Sequence, residues 1–353
     1  MIPVEALQDI RTILVHGYPD GACADGLASS LILRDAFPDA EVRFLVHGTP
    51  EYVALAASPG MLFADITPPE VRVSEFVEAG AIVLDHHKSA RHVVEAFGER
   101  GVYASAETQI GVSGALLAHQ VWTQLRREHD PNWSEGWGAE LEEFVFYFAS
   151  LIGIRDTWQR DSPLWQKACE LSATLLFYPP EDWLSIQALS ENRHRIEERV
   201  DAVGAELIRK RDADARKLAD AAYRFVTPAG TRVAVVSSCR VSDAADLLAE
   251  TSDLVVGFAF QGASPRSGAK SDAEVSSLPV MRLSFRSRGK FDCSEIARML
   301  GGGGHAGAAG ATLEIREQSA KDHYGESVMR NPYAEIQALV RRFELIQGEI
   351  GDP

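Results

Sequence analysis

Residues 81–87 read Ala-Ile-Val-Leu-Asp-His-His. The apolar run 81–84 predicts a short buried strand, and a carboxylate and two imidazoles follow it directly. Earlier apolar runs end in the same way, at His16, at His47 and at Asp65. Because helix-like stretches separate these runs, the pattern predicts a parallel sheet with helices on both faces. The predicted strands are residues 12–15, 42–46, 61–64 and 81–84, and the predicted helices are 26–37, 68–79 and 90–97.

The ends of these strands predict a metal site. In an open parallel sheet the carboxyl ends of the strands line one crevice, and ligands bind there. A single Asp after a strand is ordinarily a helix cap, but four successive strand ends that carry His or Asp are better explained by a shared ligand. Hard carboxylates with a few imidazoles favour Mn²⁺ or Mg²⁺. Two such ions, about 3.5–4 Å apart, would activate water for phosphoester hydrolysis.

The rest of the chain predicts a second lobe. From residue 114 the sequence becomes helical, and Asp156 closes one apolar helical run. Residues 183–223 are long, polar and helical in spacing, which predicts a connector helix, with an ordinary surface helix of the first domain as the alternative. A second αβ region follows. The predicted domains are residues 1–182, 183–223 and 224–353, and the predicted fold class is a two-lobed α/β protein.

The order of these residues resembles the DHH phosphoesterase superfamily. The resemblance is carried by His16, Asp25-Gly26, Asp65-Ile66, Asp85-His86-His87, Asp156 and the distant run Gly301-Gly302-Gly303-Gly304-His305. The last part is similar to the DHH-associated domain of that superfamily. The resemblance implies two αβ lobes with the active site between them. It also implies two Mn²⁺ ions in the first lobe, with Mg²⁺ as a substitute.

The resemblance also implies roles for individual residues. Asp65 would bridge the two ions, with His16 on the first ion. The second ion would be held by Asp25, His86 and Asp156. Asp85 would orient an imidazole by accepting its N–H, and His87 would lie close to the substrate phosphate.

One departure concerns the first ion. The first motif of the superfamily usually reads His-x-Asp-x-Asp, whereas here Cys23 stands two residues before Asp25. Asp20 is one candidate for the missing ligand, but Pro19-Asp20-Gly21 is also a strong turn signal. Cys23 is the other candidate, and the sequence leaves this choice open.

The glycine-rich run predicts substrate binding in the second lobe. Gly302, Gly303 and Gly304 leave backbone N–H groups accessible to an anion, and His305 adds a donor. Arg286 lies on the polar face of the strand predicted over 280–285. A loop or tight packing site is the alternative for the glycines, and a solvated strand face is the alternative for Arg286.

Together these features predict a manganese-dependent phosphodiesterase that hydrolyses short oligonucleotides or linear dinucleotides to mononucleotides, similar to oligoribonucleases of the nano-RNase type. Alternative substrates are cyclic dinucleotides, 3′-phosphoadenosine-5′-phosphate and pyrophosphate or polyphosphate. RecJ-like exonuclease action is disfavoured because no extra binding module is evident. A non-catalytic DHH-like scaffold or ligand-binding protein is the alternative of another class.

Composition restricts the partners and the location. The net charge of −16, from 51 acidic and 35 basic residues, argues against a broad grip on long duplex DNA. No apolar run spans a bilayer, and the first ten residues lack a signal pattern, so we expect no membrane partner and a soluble, cytoplasmic protein. Four scattered cysteines predict neither a disulfide framework nor a zinc ribbon. The resemblance is compatible with a homodimer.

Overall fold

The computed structural model divides the chain into two compact units, Met1–Lys210 and Arg211–Pro353. Both units are α/β, which confirms the predicted fold class. The predicted domain boundaries after residues 182 and 223 stay predictions. The structure describes residues 2–18, 21–104, 112–130, 132–133, 135–185, 189–238, 241–261, 280–289, 291–314 and 331–350.

A parallel sheet forms the centre of the first unit. Its strand order is β3-β1-β4-β5-β6, with β2 paired antiparallel to β1. Strands β3 and β4 lie on opposite sides of β1, so the strand order reverses at β1. A binding crevice is expected at such a switch point, here at the carboxyl ends of β1 and β4. The strands are β1 (Thr12–Tyr18), β2 (Gly21–Ala22), β3 (Glu41–Leu45), β4 (Met61–Ala64), β5 (Ile82–Asp85) and β6 (Gly101–Tyr103).

Helices alternate with these strands and follow them. They are α1 (Ala24–Ala36), α2 (Pro50–Val53), α3 (Val73–Glu78), α4 (Arg91–Glu95), α5 (Gly114–His129), α6 (Gly136–Asp156), α7 (Trp165–Phe177), α8 (Pro180–Leu184), α9 (Leu189–Arg199) and α10 (Ala205–Asp220). The helix predicted over 68–79 is shorter than expected, because a 3₁₀ turn at Glu70–Arg72 precedes α3. The predicted connector over 183–223 consists of several helical pieces, with a π-helical segment at Val200–Gly204 between α9 and α10.

The core of the first unit follows from the alternation of strand side chains. In β4 all four residues are buried, as expected for a strand covered on both faces. Leu62 and Ala64 belong to the core that contains α1, α5 and α6, whereas Phe63 points to the opposite face. There the Phe63 ring packs edge-on against Phe76 of α3, with 5.4 Å between ring centroids.

The second unit contains a mixed six-stranded sheet in the order β11-β12-β10-β9-β8-β7, in which β8 and β9 are parallel and the other pairs antiparallel. Its strands are β7 (Tyr223–Val226), β8 (Arg232–Val236), β9 (Leu254–Gln261), β10 (Val280–Arg286), β11 (Gly303–His305) and β12 (Ala308–Glu314). Its helices are α11 (Ser242–Leu248), α12 (Cys293–Arg298) and α13 (Pro332–Ile350). Helix α13, which was not predicted from the sequence, buries Ile336, Val340 and Phe343 at helical spacing in the core of this unit. Among the described helices of the whole chain, none is long and apolar enough to cross a membrane.

Candidate metal centre

The carboxyl ends of three neighbouring strands carry the histidines and carboxylates singled out from the sequence. His16 lies in β1, Asp65 follows β4, and Asp85 is the last residue of β5 and precedes His86 and His87. Two helices add Asp25, near the start of α1, and Asp156, the last residue of α6. The fold thus brings together side chains from widely separated parts of the chain.

His86 lies at the centre of the acidic cluster. Its Nε2 is 3.2 Å from Asp65 Oδ1, 3.5 Å from Asp25 Oδ2 and 3.5 Å from Asp156 Oδ2. The side chains of His86 and Asp25 are fully buried, whereas that of Asp156 is 29% exposed. Three carboxylates around one nitrogen carry more negative charge than a single imidazolium can neutralise.

Asp65 occupies an unusual backbone conformation. Its φ of 62° lies in the left-handed region, which residues other than glycine adopt infrequently and often at functional sites. Its backbone N–H donates to the carbonyl of Leu84 at 3.0 Å, which fixes the turn against β5. Gly114 packs directly against Asp65, because a Cβ at Gly114 would lie 2.6 Å from Asp65 Cβ. The position of this carboxylate is therefore set by the surrounding backbone.

Asp25 is held by the start of a distant helix. Its two carboxylate oxygens accept the backbone N–H groups of Gly114 and Ala115, at 2.6 and 2.8 Å. The first N–H groups of a helix have no partner within the helix, and they favour a negative charge. Next to Asp25, Gly26 lets α1 approach β1 closely, since a Cβ there would lie 2.2 Å from the His16 carbonyl oxygen.

This contribution of α5 was not predicted from the sequence. Ser113 before a helical run is a capping signal, and its side chain accepts the N–H of Leu116. The capping signal could have located the start of the helix, but it could not have shown that the free N–H groups face Asp25.

His87 is oriented by Asp85. Asp85 Oδ1 is 2.8 Å from His87 Nδ1 and accepts the backbone N–H of His87 at the same distance. When Nδ1 carries the proton that Asp85 accepts, Nε2 is the nitrogen through which the ring can exchange a proton with a ligand. The His87 side chain is 26% exposed, in contrast to the buried Asp85.

The electrostatics of the cluster show an excess of negative charge. Burial by itself would lower the pKa of His86, but the hydrogen bond to Asp65 and the charges of Asp156 and Asp25 raise that pKa to about 10. Burial and the charges of Asp65 and Asp156 raise the pKa of Asp25 well above its usual value. Burial opposes ionisation of Asp65 as well, yet the imidazoles of His16 and His86 hold its pKa well below the usual range. The cluster therefore retains protons near neutral pH, and a divalent cation would relieve the same excess of charge.

The donor atoms fit divalent metal ions. One group of ligand atoms comes from Asp25, Asp65 and His86, and another comes from His16, Cys23 and Asp65; within each group the atoms lie within 4.8 Å of one another. Asp65 belongs to both groups, as a bridging carboxylate would. In the part of the chain that the structure describes, the buried Asp65 Oδ2 has no hydrogen-bond partner, and His16 Nδ1 is 3.6 Å away. A carboxylate oxygen without a hydrogen bond and a nearby imidazole nitrogen are suitable ligands for a divalent metal ion.

The sequence also pointed to Asp20 and His47. Asp20 falls outside the described residues, so its role as a ligand stays a prediction. His47 follows β3 and is exposed, with its ring centroid 4.8 Å from that of Tyr52.

The glycine-rich run of the second unit forms a hairpin rather than an open loop. Gly303–His305 pair with Ala308–Gly310. A Cβ at Gly302 would lie 2.1 Å from the Gly310 carbonyl oxygen, and a Cβ at Gly304 would lie 2.6 Å from that of Ala308. These two glycines therefore have a packing reason for their presence. The roles predicted for Gly302, Gly303, Gly304 and His305 in substrate binding stay predictions.

Arg286 has partners within its own unit. Its Nε and Nη2 donate to the Ser242 hydroxyl at 3.1 and 3.0 Å, and its Nη1 donates to the Ser284 hydroxyl and the Phe285 carbonyl. These bonds tie β10 to the start of α11. The residue is half-buried, and its role in substrate binding stays a prediction.

Comparison with known proteins agrees with this architecture. Residues 232–324 match the DHHA1 domain family. A solved DHH domain, from a protein described as a member of a family of ribosomal proteins, has a TM-score of 0.50 and 14% identity, with coverage of 88% of this chain and 84% of that chain. This likeness concerns the fold. No curated protein matches the sequence.

Two further solved structures are more distant in shape. RecJ from Thermus thermophilus, in complex with Mn²⁺, has a TM-score of 0.46 and 20% identity, and the match covers 99% of this chain but 54% of RecJ. A pGpG-specific phosphodiesterase from Vibrio cholerae has a TM-score of 0.32 and 12% identity, with coverage of 94% of this chain and 98% of that chain. Residues 232–324, in the second unit, are thus similar to the DHHA1 domain, and the chain is similar in fold to a solved DHH domain.

Proposed function

We propose that this protein is a divalent-metal-dependent phosphoesterase that hydrolyses short oligonucleotides or linear dinucleotides. The observation that carries the proposal is the shared carboxylate Asp65, which lies within ligand distance of two groups of donors, one with His16 and one with Asp25 and His86. Bound divalent ions would supply charge neutralisation and activation of water for attack on phosphorus. Mn²⁺ is the ion we favour, with Mg²⁺ as a substitute, because most donors are carboxylates and imidazoles.

The protein's own residues would perform the remaining steps. The cations would be bound by the buried residues Asp25, Asp65 and His86. Asp156, which is more exposed, would complete the ligands of the second ion. His87 would donate a proton to the leaving oxygen through Nε2, while Asp85 holds the ring in the required orientation. Burial would lower the pKa of His87, but the charge of Asp85 raises it, which favours the protonated ring that such a donor requires.

The net charge of the chain and the match to the DHHA1 domain support the proposed substrate class. A net charge of −16 disfavours long polyanions, whereas a short substrate needs only a local site. The DHHA1 match covers the hairpin that the glycine run forms. We propose that Arg286, the glycine run and His305 bind the far end of this substrate.

Release of mononucleotide from a 5′-phosphorylated dinucleotide tests the proposal. The full chain is assayed with Mn²⁺, with Mg²⁺ and with a chelator, beside the variants Asp65→Asn and Asp85→Ala. The matched control is Asp39→Asn, an exposed carboxylate in the turn after α1. We expect turnover that requires the metal, is lost in Asp65→Asn, is reduced in Asp85→Ala and is unchanged in the control.

Other outcomes separate the alternatives. Metal binding without dinucleotide turnover would direct the assay to cyclic dinucleotides, 3′-phosphoadenosine-5′-phosphate and pyrophosphate. If the protein neither binds a divalent metal nor hydrolyses any of these compounds, the proposal is wrong and the non-catalytic scaffold is the better interpretation.

A further inference from the structure

Cys23 lies beside the first group of metal ligands. It directly precedes α1, and the residue is 6% exposed. Its sulfur, a His16 nitrogen and an Asp65 oxygen all lie within 4.8 Å of one another. Its backbone is fixed, because the Cys23 carbonyl accepts the Leu27 N–H at 2.8 Å. The turn from β2 into α1 therefore presents the thiol to the end of β1.

A second observation points to a ligand at this position. Asp65 Oδ2 is buried and has no hydrogen-bond partner among the described residues. A buried carboxylate oxygen that accepts no hydrogen bond is costly, and an ion that bridges it to neighbouring donors removes that cost. The imidazole of His16 is the other donor close by, with its Nδ1 at 3.6 Å from this oxygen.

The other cysteines provide the comparison. Cys169 is buried in α7 and Cys293 is buried in α12, within the apolar core of the second unit. In the described part of the chain, neither belongs to a group of converging metal ligands. All three cysteines are buried, so burial alone does not place a cysteine among metal ligands. Cys23 differs from Cys169 and Cys293 because His16 and Asp65 lie beside it.

We propose that His16, Cys23 and Asp65 form a thiolate-containing metal site that selects a thiophilic ion of the Zn²⁺ or Co²⁺ type. The adjoining group of Asp25, Asp65 and His86 contains oxygen and nitrogen donors alone and would accept a harder ion such as Mn²⁺. The inference rests on the proposed function, since it assigns the chemistry of one half of the same centre. Soft thiolate ligands discriminate between these ions because affinity follows ligand type as well as charge. Three protein ligands with a remaining position for water or substrate are typical of catalytic zinc sites.

X-ray absorption of the zinc-loaded full chain tests this assignment directly. We expect a sulfur neighbour at about 2.3 Å from zinc, in addition to nitrogen and oxygen neighbours at shorter distance. Cys23→Ser should abolish the sulfur shell, and Cys23→Asp should abolish it while metal binding persists. The matched controls are Cys169→Ser, Cys239→Ser and Cys293→Ser, each of which should keep the sulfur shell. Cobalt substitution provides a second readout, a sulfur-to-metal charge-transfer band that Cys23→Ser removes.

The results that would contradict the thiolate site differ from those that would contradict the proposed function. Zinc bound by nitrogen and oxygen alone in the unmodified protein, or a sulfur shell that survives Cys23→Ser, would overturn the inference whatever the variants do to folding. In that case two bound Mn²⁺ ions and dinucleotide turnover would leave the proposed function standing. A sulfur shell without hydrolysis of any phosphoester would leave the thiolate site standing and contradict the proposed function.

Discussion

At the scale of single residues, Asp65 is the carboxylate on which both groups of donors depend. Its left-handed backbone turns the carboxylate out of the end of β4, and neighbouring donors surround it on both sides. Asp and Asn tolerate this backbone region better than bulky residues do. Asp65→Asn therefore keeps the backbone and removes the charge, which makes it the informative change at this position.

The pair Asp85 and His87 leads to a prediction about pH. The negative charge of Asp85 raises the pKa of His87, so Asp85→Asn should lower that pKa. If protonated His87 is the proton donor, the decline of the rate at alkaline pH should begin at a lower pH in this variant. We also expect the turnover to fall by about 10–100-fold, the usual effect of losing a group that orients a functional imidazole.

Rate profiles against pH for the wild type and for Asp85→Asn provide the measurement. Asp39→Asn is the control for a lost surface carboxylate. An alkaline limb that stays in place in Asp85→Asn would show that His87 does not donate the proton.

At the scale of elements, two glycines determine how closely helices approach the strands. Gly26 allows α1 to lie against the backbone of His16, and Gly114 allows the start of α5 to lie against Asp65. Through these contacts the N–H groups of α5 reach the carboxylate of Asp25. The centre therefore depends on the packing of helices as well as on its ligands.

Alanine at these glycines should have separable effects. Gly26→Ala places a Cβ 2.2 Å from a backbone oxygen that cannot move easily, so we expect the first unit to lose about 1–3 kcal/mol of stability. Gly114→Ala places a Cβ 2.6 Å from Asp65 Cβ, so we expect weaker metal binding as well as lower stability. Gly310→Ala is the control, because its Cβ would meet its nearest neighbour at an ordinary 3.4 Å.

Denaturant unfolding and calorimetric titration with Mn²⁺ measure the two effects. Metal affinity in Gly114→Ala equal to that of Gly310→Ala would contradict the role of this contact in positioning Asp65.

At the scale of the whole molecule, metal binding and protons compete for the same groups. His86, with a pKa raised to about 10, is protonated at neutral pH in the metal-free protein, and the pKa of Asp25 is also raised. His86 must lose its proton to bind a cation, and the raised pKa of Asp25 acts in the same direction, so the apparent affinity for Mn²⁺ should rise as the pH rises from about 6 to 8. Titration calorimetry in buffers of different ionisation enthalpy should detect the released protons. Binding without proton release at neutral pH would contradict this account of the cluster.

The raised pKa of His86 also affects the stability of the metal-free protein. A group whose pKa is higher in the folded state stabilises the fold below its unfolded pKa, and this stabilisation is lost as the pH rises through the folded value. For His86 the loss falls between about pH 6.5 and 10. Denaturant unfolding of the metal-free protein across this range provides the measurement.

Metal removal should affect the two units differently. All six tryptophans belong to the first unit, so tryptophan fluorescence reports on that unit alone. A ligand at 100 times its dissociation constant adds about 2.7 kcal/mol, which corresponds to roughly 5–10 °C in a unit of this size. We expect Mn²⁺ to raise the fluorescence-detected melting temperature by this amount and a chelator to reverse the shift.

Calorimetry of the same samples detects unfolding of both units. The Asp65→Asn variant should show no shift in fluorescence on addition of Mn²⁺. An equal shift in that variant would place the stabilising ion elsewhere in the protein.

Local pattern was sufficient for much of this architecture. Strand β4 lies where the apolar run 61–64 predicted it, and β5 is displaced by one residue. Such strands are readable because full burial requires an unbroken apolar run. By contrast, α13 was missed, and the glycine-rich run proved to be a hairpin, since its partner strand is decided by pairing within the sheet.

The sequence by itself determined the fold class and the chemical character of the centre. Strand ends that carry His or Asp converge on one edge in any parallel sheet, so Asp65, Asp85 and His86 could be grouped without coordinates. Tertiary structure alone decided the strand order, the helix N–H groups that hold Asp25 and the place of Cys23 beside His16. These depend on contacts between residues far apart in the chain, which short-range periodicity does not encode, because the free energy that selects them comes from packing of the complete unit.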